Sequence, residues 1–248
     1  MYRSLQALIL AALGMFFLYK IWSGTLYWYI NQRFTALTLI AALGFLALAQ
    51  AVLARRKQAT AETHHEHDGH DHHDHEHPRL PVWSLWVVAL PVLLGVLLPA
   101  KPLGSAAIAN RGVNTTAPLT AGAAQPARLD ISPTDRTILD WIRAFNYASD
   151  PKTFEDQPAD VIGFVYHDSR LQGGQFLAGR FTVNCCVADA MALGVIVQWP
   201  DSAGLADNSW VRVRGSVQAA KIDGRSIPLI VAESVESVPP PDQPYLYP

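Results

Sequence analysis

Two stretches of this chain carry side chains that can do chemistry. The first is HHEHDGHDHHDHEH, residues 64–77, which holds eight histidines, five carboxylates, one glycine and no apolar side chain. Imidazole binds Zn²⁺, Ni²⁺ and Cu²⁺ and is largely neutral near pH 7. His64, His65, His67, His70, His72, His73, His75 and His77 are therefore candidate metal ligands. Pairs such as His64/His67 and His72/His75, with carboxylates between, can gather three or four donors, and Gly69 lets the backbone bend. The fixed spacing of a structural zinc site is missing. The expected complex is adaptable and unselective, with Zn²⁺ or another divalent transition metal as an optional ligand and no required cofactor. A solvated linker whose histidines bind nothing is the competing reading.

The second stretch is NCCVADA, which contains the only two cysteines, Cys185 and Cys186. In a regular strand, neighbouring side chains point to opposite faces. A disulfide between neighbours demands a distorted peptide, so a structural staple is not expected. Three readings stay open: a thiolate metal site shared with Asp189 or His167, a redox-sensitive pair at a bulge, or two thiols without chemistry. His167-Asp168 has no serine nucleophile motif beside it, and neither a glycine-rich phosphate loop nor a carboxylate pair suited to acid–base work stands out. No enzymatic activity is expected.

These residues must be positioned by elements of two different kinds. Apolar runs extend from Leu5 to about Trp22, from Phe34 to Leu53 and from Val82 to Pro99. Each approaches the ~20 residues a helix needs to cross a bilayer, and helices satisfy every backbone amide inside lipid. Pro91 is expected to kink the third. Met-Tyr-Arg is a short lead and no small-x-small site follows the first run, so an uncleaved anchor is expected rather than a signal peptide. Tyr27, Trp28 and Tyr29 suit one membrane interface, Trp83 and Trp86 the other. With the N-terminus inside, Arg3, Arg55, Arg56, Lys57 and Arg79 lie inside, against Lys20, Arg33, Lys101 and Arg111 outside. The cluster Arg55-Arg56-Lys57 at a helix end tips the balance. Three crossings then place the histidine loop, residues 58–80, in the cytoplasm and the C-terminal domain outside, on a multi-pass protein of the inner cell membrane.

Residues 101–129 are rich in Ala, Gly, Pro, Ser and Thr, lack periodicity, and read as a flexible tether. Residues 130–248 read as a globular domain with 9 Lys+Arg against 15 Asp+Glu, a balance that argues against a nucleic-acid partner. Ser132 suits a helix N-cap, Pro133 the first helical position and Asp135 the positive helix end, while Ile138, Trp141, Ile142 and Phe145 recur at helical spacing. Strands are predicted over 161–168, 175–185, 191–199, 209–218 and 226–235, with Val211, Val213 and Val217 opposing Arg212, Arg214 and Ser216. Asp223-Gly224 marks a hairpin turn. The expected fold is a membrane all-α region of three transmembrane helices followed by one short helix and a small all-β barrel of the OB type; a β-sandwich is the alternative. The PPPDQPYLYP tail is expected to be irregular, with Tyr245 and Tyr247 packing on the barrel or docking a partner.

The stretches GFVYHDSR, GRFTVNCCVADA, WVRVRG and PYLYP resemble a bacterial family of uncharacterised membrane proteins assigned as subunits of two-component permeases. Cys185, Cys186, Ala188 and Asp189 match its Cys-Cys-x-Ala-Asp motif, and Arg180 and Phe181 match the lead-in. The resemblance implies a separate multi-span permease as partner and, for some members, a link to metal homeostasis. The expectation is a non-enzymatic accessory subunit of a membrane permease complex for a divalent transition metal, embedded in the lipid bilayer. A membrane-anchored extracytoplasmic binding or scaffold module without transport is the alternative, and a thiol-redox enzyme a third. The spans carry no acidic or histidine residue, so this chain by itself is not expected to form an ion path.

Overall fold

Long apolar runs with charges only near their ends build the N-terminal helices of the computed structural model, which describes residues 2–61, 83–113, 131–148, 150–222 and 225–247. The chain divides into two units, Met1–Tyr27 with Gln32–Lys101, and Trp28–Asn31 with Pro102–Pro248.

In the first unit, α1 (Tyr2–Trp22) packs on α2 (Thr35–Ala61) through small residues. Ala7, Ala42 and Ala49 are buried, and a Cβ on Gly14 would come within 2.9 Å of the Ala42 carbonyl oxygen, so the two backbones meet where side chains are smallest. Phe17 and Phe45 stack at 6.2 Å beside them. The shorter α3 (Trp83–Leu97) meets α1 where Gly95 leaves room for the Phe16 ring. Among the described residues, the exposed large hydrophobic side chains all lie between Leu5 and Leu98. That is the inverse of a water-soluble helical pair, which buries its apolar stripe.

Ser4–Trp22 and Gln32–Arg55 are long and apolar enough to cross a membrane. The second helix overruns its expected end: α2 continues past Leu53 through Arg55, Arg56 and Lys57 to Ala61, because these straight-chain residues and alanines favour helix. The first residues assigned to the histidine loop are thus helical. Among the described residues the third run forms 15 helical residues, with Pro91 inside. At 1.5 Å per residue that is about 22 Å, short of the ~30 Å hydrocarbon core. Its expected first residue, Val82, lies outside the described residues, as do the eight tract histidines.

The second unit is built on six strands: β1 (Pro158–Tyr166), β2 (Gln175–Thr182), β3 (Met191–Gln198), β4 (Trp210–Ile222), β5 (Arg225–Ser237) and β6 (Tyr245–Leu246). Their pairing runs β1-β4-β5-β3-β2-β6, and β1 also pairs with β2, so the first five strands close on themselves as β1-β2-β3-β5-β4. The β3–β5 pair is parallel and the other four barrel pairs are antiparallel, a closed Greek-key arrangement of the OB type. Closure depends on close approach. A Cβ on Gly163 of β1 would lie 2.9 Å from the Gly179 carbonyl oxygen of β2. The β4–β5 ladder skips a residue between Arg214 and Gly215, and a Cβ on Gly215 would collide with the Val231 carbonyl oxygen.

Val161, Val165, Phe176, Ala178, Leu193, Val195, Val197, Val211, Val213 and Ile230 form the core, joined by Ile138, Trp141, Ile142 and Phe145 of α5 (Ile138–Tyr147). The apolar stripe predicted for this helix is buried as expected, but its start is not Ser132. Pro133–Asp135 is a separate 3-10 turn, and Thr137 caps α5 in a reciprocal box with Asp140. Thr-x-x-Asp satisfies two orphan N–H groups where Ser132 satisfies none.

A second cluster lies outside the barrel and contains Phe164, Phe181, Val183, Trp210, Tyr245 and Ile108. Ile108 belongs to α4 (Ser105–Arg111), and Leu103 and Val113 pack with it. Residues 103–113, read from composition as tether, are therefore part of the barrel's covering; one buried Ile, one Leu and one Val suffice to seat a short helix. Residues 114–129 of the expected tether lie outside the described residues. The tail also does more than expected. Tyr245 and Leu246 pair in parallel with Phe181 and Thr182, and with the Tyr245 ring in the outer cluster and the core on the other side β2 is buried on both faces and shows no alternation.

On the open face of β4, Arg212 grips Asp160 of β1 through two 2.6 Å hydrogen bonds, Arg214 adds one of 3.2 Å, and Arg214 also reaches Glu236 at 2.8 Å. The Arg212 hydrogen bonds hold the Asp160 carboxyl below its ordinary range, with partial burial opposing and Arg214 assisting. A depressed carboxylate stabilises the fold above its unfolded pKa and loses that contribution as pH falls through the folded value. Asp160→Asn is thus expected to be less stable than the parent at neutral pH, with the gap closing below about pH 4. Urea midpoints measured across pH check this; a gap that persists into acid contradicts it.

Candidate functional site

The Cys-Cys motif does not lie on a strand. β2 ends at Thr182, and Val183–Ala190 form a loop with a 3-10 turn at Val187–Asp189. Alternation across a sheet therefore does not apply, and the two sulfurs stand 3.7 Å apart with no disulfide between them. Cys185 is exposed and Cys186 half-buried.

Asp189 explains the spacing of the motif. Its Oδ2 accepts from the Cys185 N–H at 2.8 Å, its Oδ1 accepts from the Asn184 N–H at 3.2 Å, and its own N–H donates to the Cys186 carbonyl at 3.0 Å. A carboxylate four residues after the first cysteine thus closes the loop on the pair.

The opposite edge of the loop is covered by Trp28–Asn31, the segment that joins α1 to α2 in sequence and that belongs to the barrel unit. Ile30 bridges antiparallel to Cys186: the Asn31 N–H donates to the Cys185 carbonyl at 3.0 Å and the Val187 N–H to the Tyr29 carbonyl at 2.9 Å. The buried Asn31 side chain donates to the Asn184 carbonyl at 2.9 Å. Tyr245 fastens the same segment: its hydroxyl donates to the Trp28 carbonyl at 3.1 Å and accepts from the Leu103 N–H at 2.9 Å. Trp28 and Tyr29, read as members of an interfacial aromatic belt, thus lend their carbonyls to the barrel. Nothing in YWYIN marks it as a strand partner, because a single bridge leaves no periodic pattern.

Arg180, in the lead-in to the motif, is buried among Ile162, Gln243 and Trp210. It donates to the Gln243 carbonyl at 2.7 Å and to the Ile162 carbonyl at 3.3 Å, with its guanidinium 5.2 Å from the centre of the Trp210 ring. Burial lowers its pKa to about 10, so the cation persists at neutral pH and pins the tail beside β6.

His167 does not join the cysteines. Its Nδ1 lies 2.8 Å from Asp207 Oδ1 and its Nε2 3.0 Å from the Ser202 carbonyl. Partial burial works against the charged ring, but these two acceptors outweigh it and raise its pKa above the ordinary value. Its partner is Asp207, which no sequence motif marked, while Asp168 pairs with Arg170 at 2.6 Å. Among the described residues, no three His, Cys, Asp or Glu side chains stand together as a metal cage. Of the four residues proposed for a thiol or metal site, the structure brings together Cys185, Cys186 and Asp189.

The hydrogen bond to Asp189, followed by that to Cys186, pushes the Cys185 thiol up to about 11. Asp189 moves the other way: partial burial favours its neutral form, but the Cys185 thiol and the loop N–H groups prevail and lower its pKa. Thiolates, not thiols, are the nucleophiles. Alkylation of Cys185 by iodoacetamide, followed by peptide mass spectrometry, is expected to be slow at neutral pH and to rise toward pH 11, and Asp189→Asn should shift that rise to lower pH. A parent rate that levels off near pH 8.5, the ordinary thiol value, would contradict the assignment.

Two helices with apolar exteriors and a closed five-stranded barrel carrying a clamped Cys-Cys loop define a membrane-associated barrel protein. The chain belongs to the DUF1980 family: residues 5–114 match the DUF1980 N-terminal domain and residues 122–248 the DUF1980 C-terminal domain. It is 24% identical to a Streptococcus mutans protein named "Putative two-component membrane permease complex subunit", over 98% of each chain. It is 26% identical to the UPF0703 protein YcgQ of Bacillus subtilis, over 49% of this chain and 42% of that protein. Among solved structures, the small single-stranded DNA-binding protein of Streptomyces coelicolor aligns with 34% of this chain and 93% of its own at 15% identity and a TM-score of 0.23. The Stn1–Ten1 complex of S. pombe aligns with 33% of this chain at 13% identity and a TM-score of 0.22. The barrel assignment rests on the strand pairing itself.

Proposed function

We propose that this chain is a non-enzymatic accessory subunit of a two-component permease of the inner cell membrane, serving divalent transition-metal homeostasis. The observation that carries the reading is the stitching of Trp28–Asn31 into the Cys-Cys loop. The segment so fastened is the connection between two apolar helices, which ties the barrel by sequence to a membrane region. The full-length likeness to the Streptococcus protein supplies the kind of assembly.

Chain continuity supports three crossings. The polypeptide leaves the barrel unit at Asn31 and re-enters it at Pro102, so the excursion between them crosses an even number of times. With α2 as one crossing, α3 is the return, its 15 residues extended by apolar flanks such as Leu98. The basic residues Arg55, Arg56 and Lys57 on the extension of α2 favour that end as the cytoplasmic one. The barrel then lies outside and the histidine tract inside, where it would concentrate Zn²⁺ or a similar ion. Arg212 and Arg214, two cations on the open face of β4, are paired with Asp160 and Glu236 and do not offer free charge to a phosphate backbone.

Affinity capture of the full chain from solubilised membranes tests the subunit assignment. A co-purifying multi-span permease is expected. A soluble envelope protein in its place would favour a scaffold module instead. The metal assignment is tested separately: deletion of residues 64–77 should alter growth and cell metal content under zinc, nickel or cobalt limitation or excess. Unchanged tolerance and content would remove the tract from the account.

A further inference from the structure

We propose that Cys185 and Cys186 form a site of reversible oxidation whose product, a disulfide between neighbours, releases the Trp28–Asn31 segment from the barrel. The proposal goes beyond the subunit reading, and only its choice of oxidant rests on the extracytoplasmic placement of the barrel proposed above.

The sulfurs are already adjacent, at 3.7 Å, and belong to free thiols, one of them exposed. The co-reactant is a disulfide-bearing oxidant, the class that sustains thiol oxidation outside the cytosol. One thiolate of the pair attacks a sulfur of the oxidant, forming a mixed disulfide and expelling the oxidant's first thiolate. The second thiolate attacks its neighbour's sulfur and expels the other. Two electrons pass from the cysteines to the oxidant, and the two thiol protons end on its two thiols.

Bond formation must bring the sulfurs to about 2.05 Å between residues whose Cα atoms are about 3.8 Å apart across a trans peptide, below the usual disulfide range. The strain therefore falls on the peptide linking Cys185 to Cys186. The carbonyl of that peptide is the Cys185 oxygen, the acceptor of the Asn31 N–H. On the far side of Cys186, the Val187 N–H is held by the Tyr29 carbonyl. Asp189 anchors the Cys185 N–H and the Cys186 carbonyl, so the loop cannot follow the twist as a rigid piece. Twisting this peptide turns the Cys185 carbonyl away from Asn31, and the one-residue bridge at Ile30 has no neighbouring ladder to retain it.

Hydrogen exchange on the purified full-length chain in detergent tests this, comparing chain kept in reductant with chain treated with oxidised glutathione. Intact mass and thiol count report closure of the pair. Closure is expected to speed exchange at the Asn31 and Val187 amides on the order of tenfold or more, as two hydrogen bonds are lost. Reductant should restore protection, while barrel amides such as Val195 stay unchanged. A Cys185→Ser, Cys186→Ser chain should not respond to the oxidant; the reduction cycle on the parent decides the matter if that variant folds poorly. Closure with Asn31 protection unchanged would overturn the proposal. So would a pair that yields only glutathione adducts or chain-to-chain links.

Discussion

Gly215→Val is expected to abolish the folded barrel. The Cβ it introduces has no place to go, because it meets the main-chain oxygen of Val231 rather than the end of a flexible side chain. Relief would require β4 and β5 to part at the step between Arg214 and Gly215, where the ladder changes register and the sheet turns to close. Clashes of this kind sit in the tail of single-substitution effects, at about 4 kcal/mol or more. A domain is stable by only about 5–15 kcal/mol, so a loss of this size removes a large part of the margin or all of it. Gly204→Ala is the control: nothing lies within 4 Å of the added methyl, and a change within about 0.5 kcal/mol is expected. Denaturant unfolding of the two variants, with barrel tryptophan fluorescence as the probe, measures the contrast. A stable Gly215→Val chain would mean the strands do not approach as described.

Trp141→Ala is expected to cost about 3–5 kcal/mol. Trp141 is fully buried among the core residues of α5 and the barrel, with the Phe154 ring 6.3 Å away edge-on and the Arg136 guanidinium 4.8 Å from its own ring centre. Truncation leaves a cavity and strips Arg136 of the face it lies on. Among the described residues Trp141 Nε1 has no hydrogen-bond partner, so Trp141→Phe removes no polar interaction there and should cost clearly less, about 1–2 kcal/mol. Equal losses for the two would mean that something other than ring packing holds α5 on the barrel.

The periodic parts of the molecule were legible in the sequence, and the single contacts were not. Val211, Val213 and Val217 alternate with Arg212 and Arg214 because β4 has one wet face, and Ile138, Trp141, Ile142 and Phe145 mark one face of α5. β2 was overextended by three residues because Val183, Asn184 and Cys185 look no different in composition from the strand before them. That error placed the cysteines on opposite faces of a strand when their sulfurs stand 3.7 Å apart on a loop. α4 and β6 were missed because an element that covers the outside of a barrel needs only Ile108 or Tyr245, and one apolar residue sets no period. The partner of the Cys-Cys loop lay more than 150 residues away in YWYIN, a separation that only the folded chain reveals. Asp189 was picked out as a neighbour of the cysteines, but its part in bracing the loop N–H groups follows from geometry alone.

Side-specific labelling of two introduced cysteines tests the central claim most directly. In a Cys185→Ser, Cys186→Ser background, Asp201→Cys places a thiol on the exposed loop between β3 and β4, and Asp68→Cys places one inside the histidine tract. A membrane-impermeant maleimide applied to intact cells should label the first at once and the second only after the membrane is opened. Labelling of the tract but not the loop would invert the protein in its membrane. Labelling of both from the outside would show that α3 makes no return crossing, and the account of a barrel and a metal-gathering segment on opposite faces would fall.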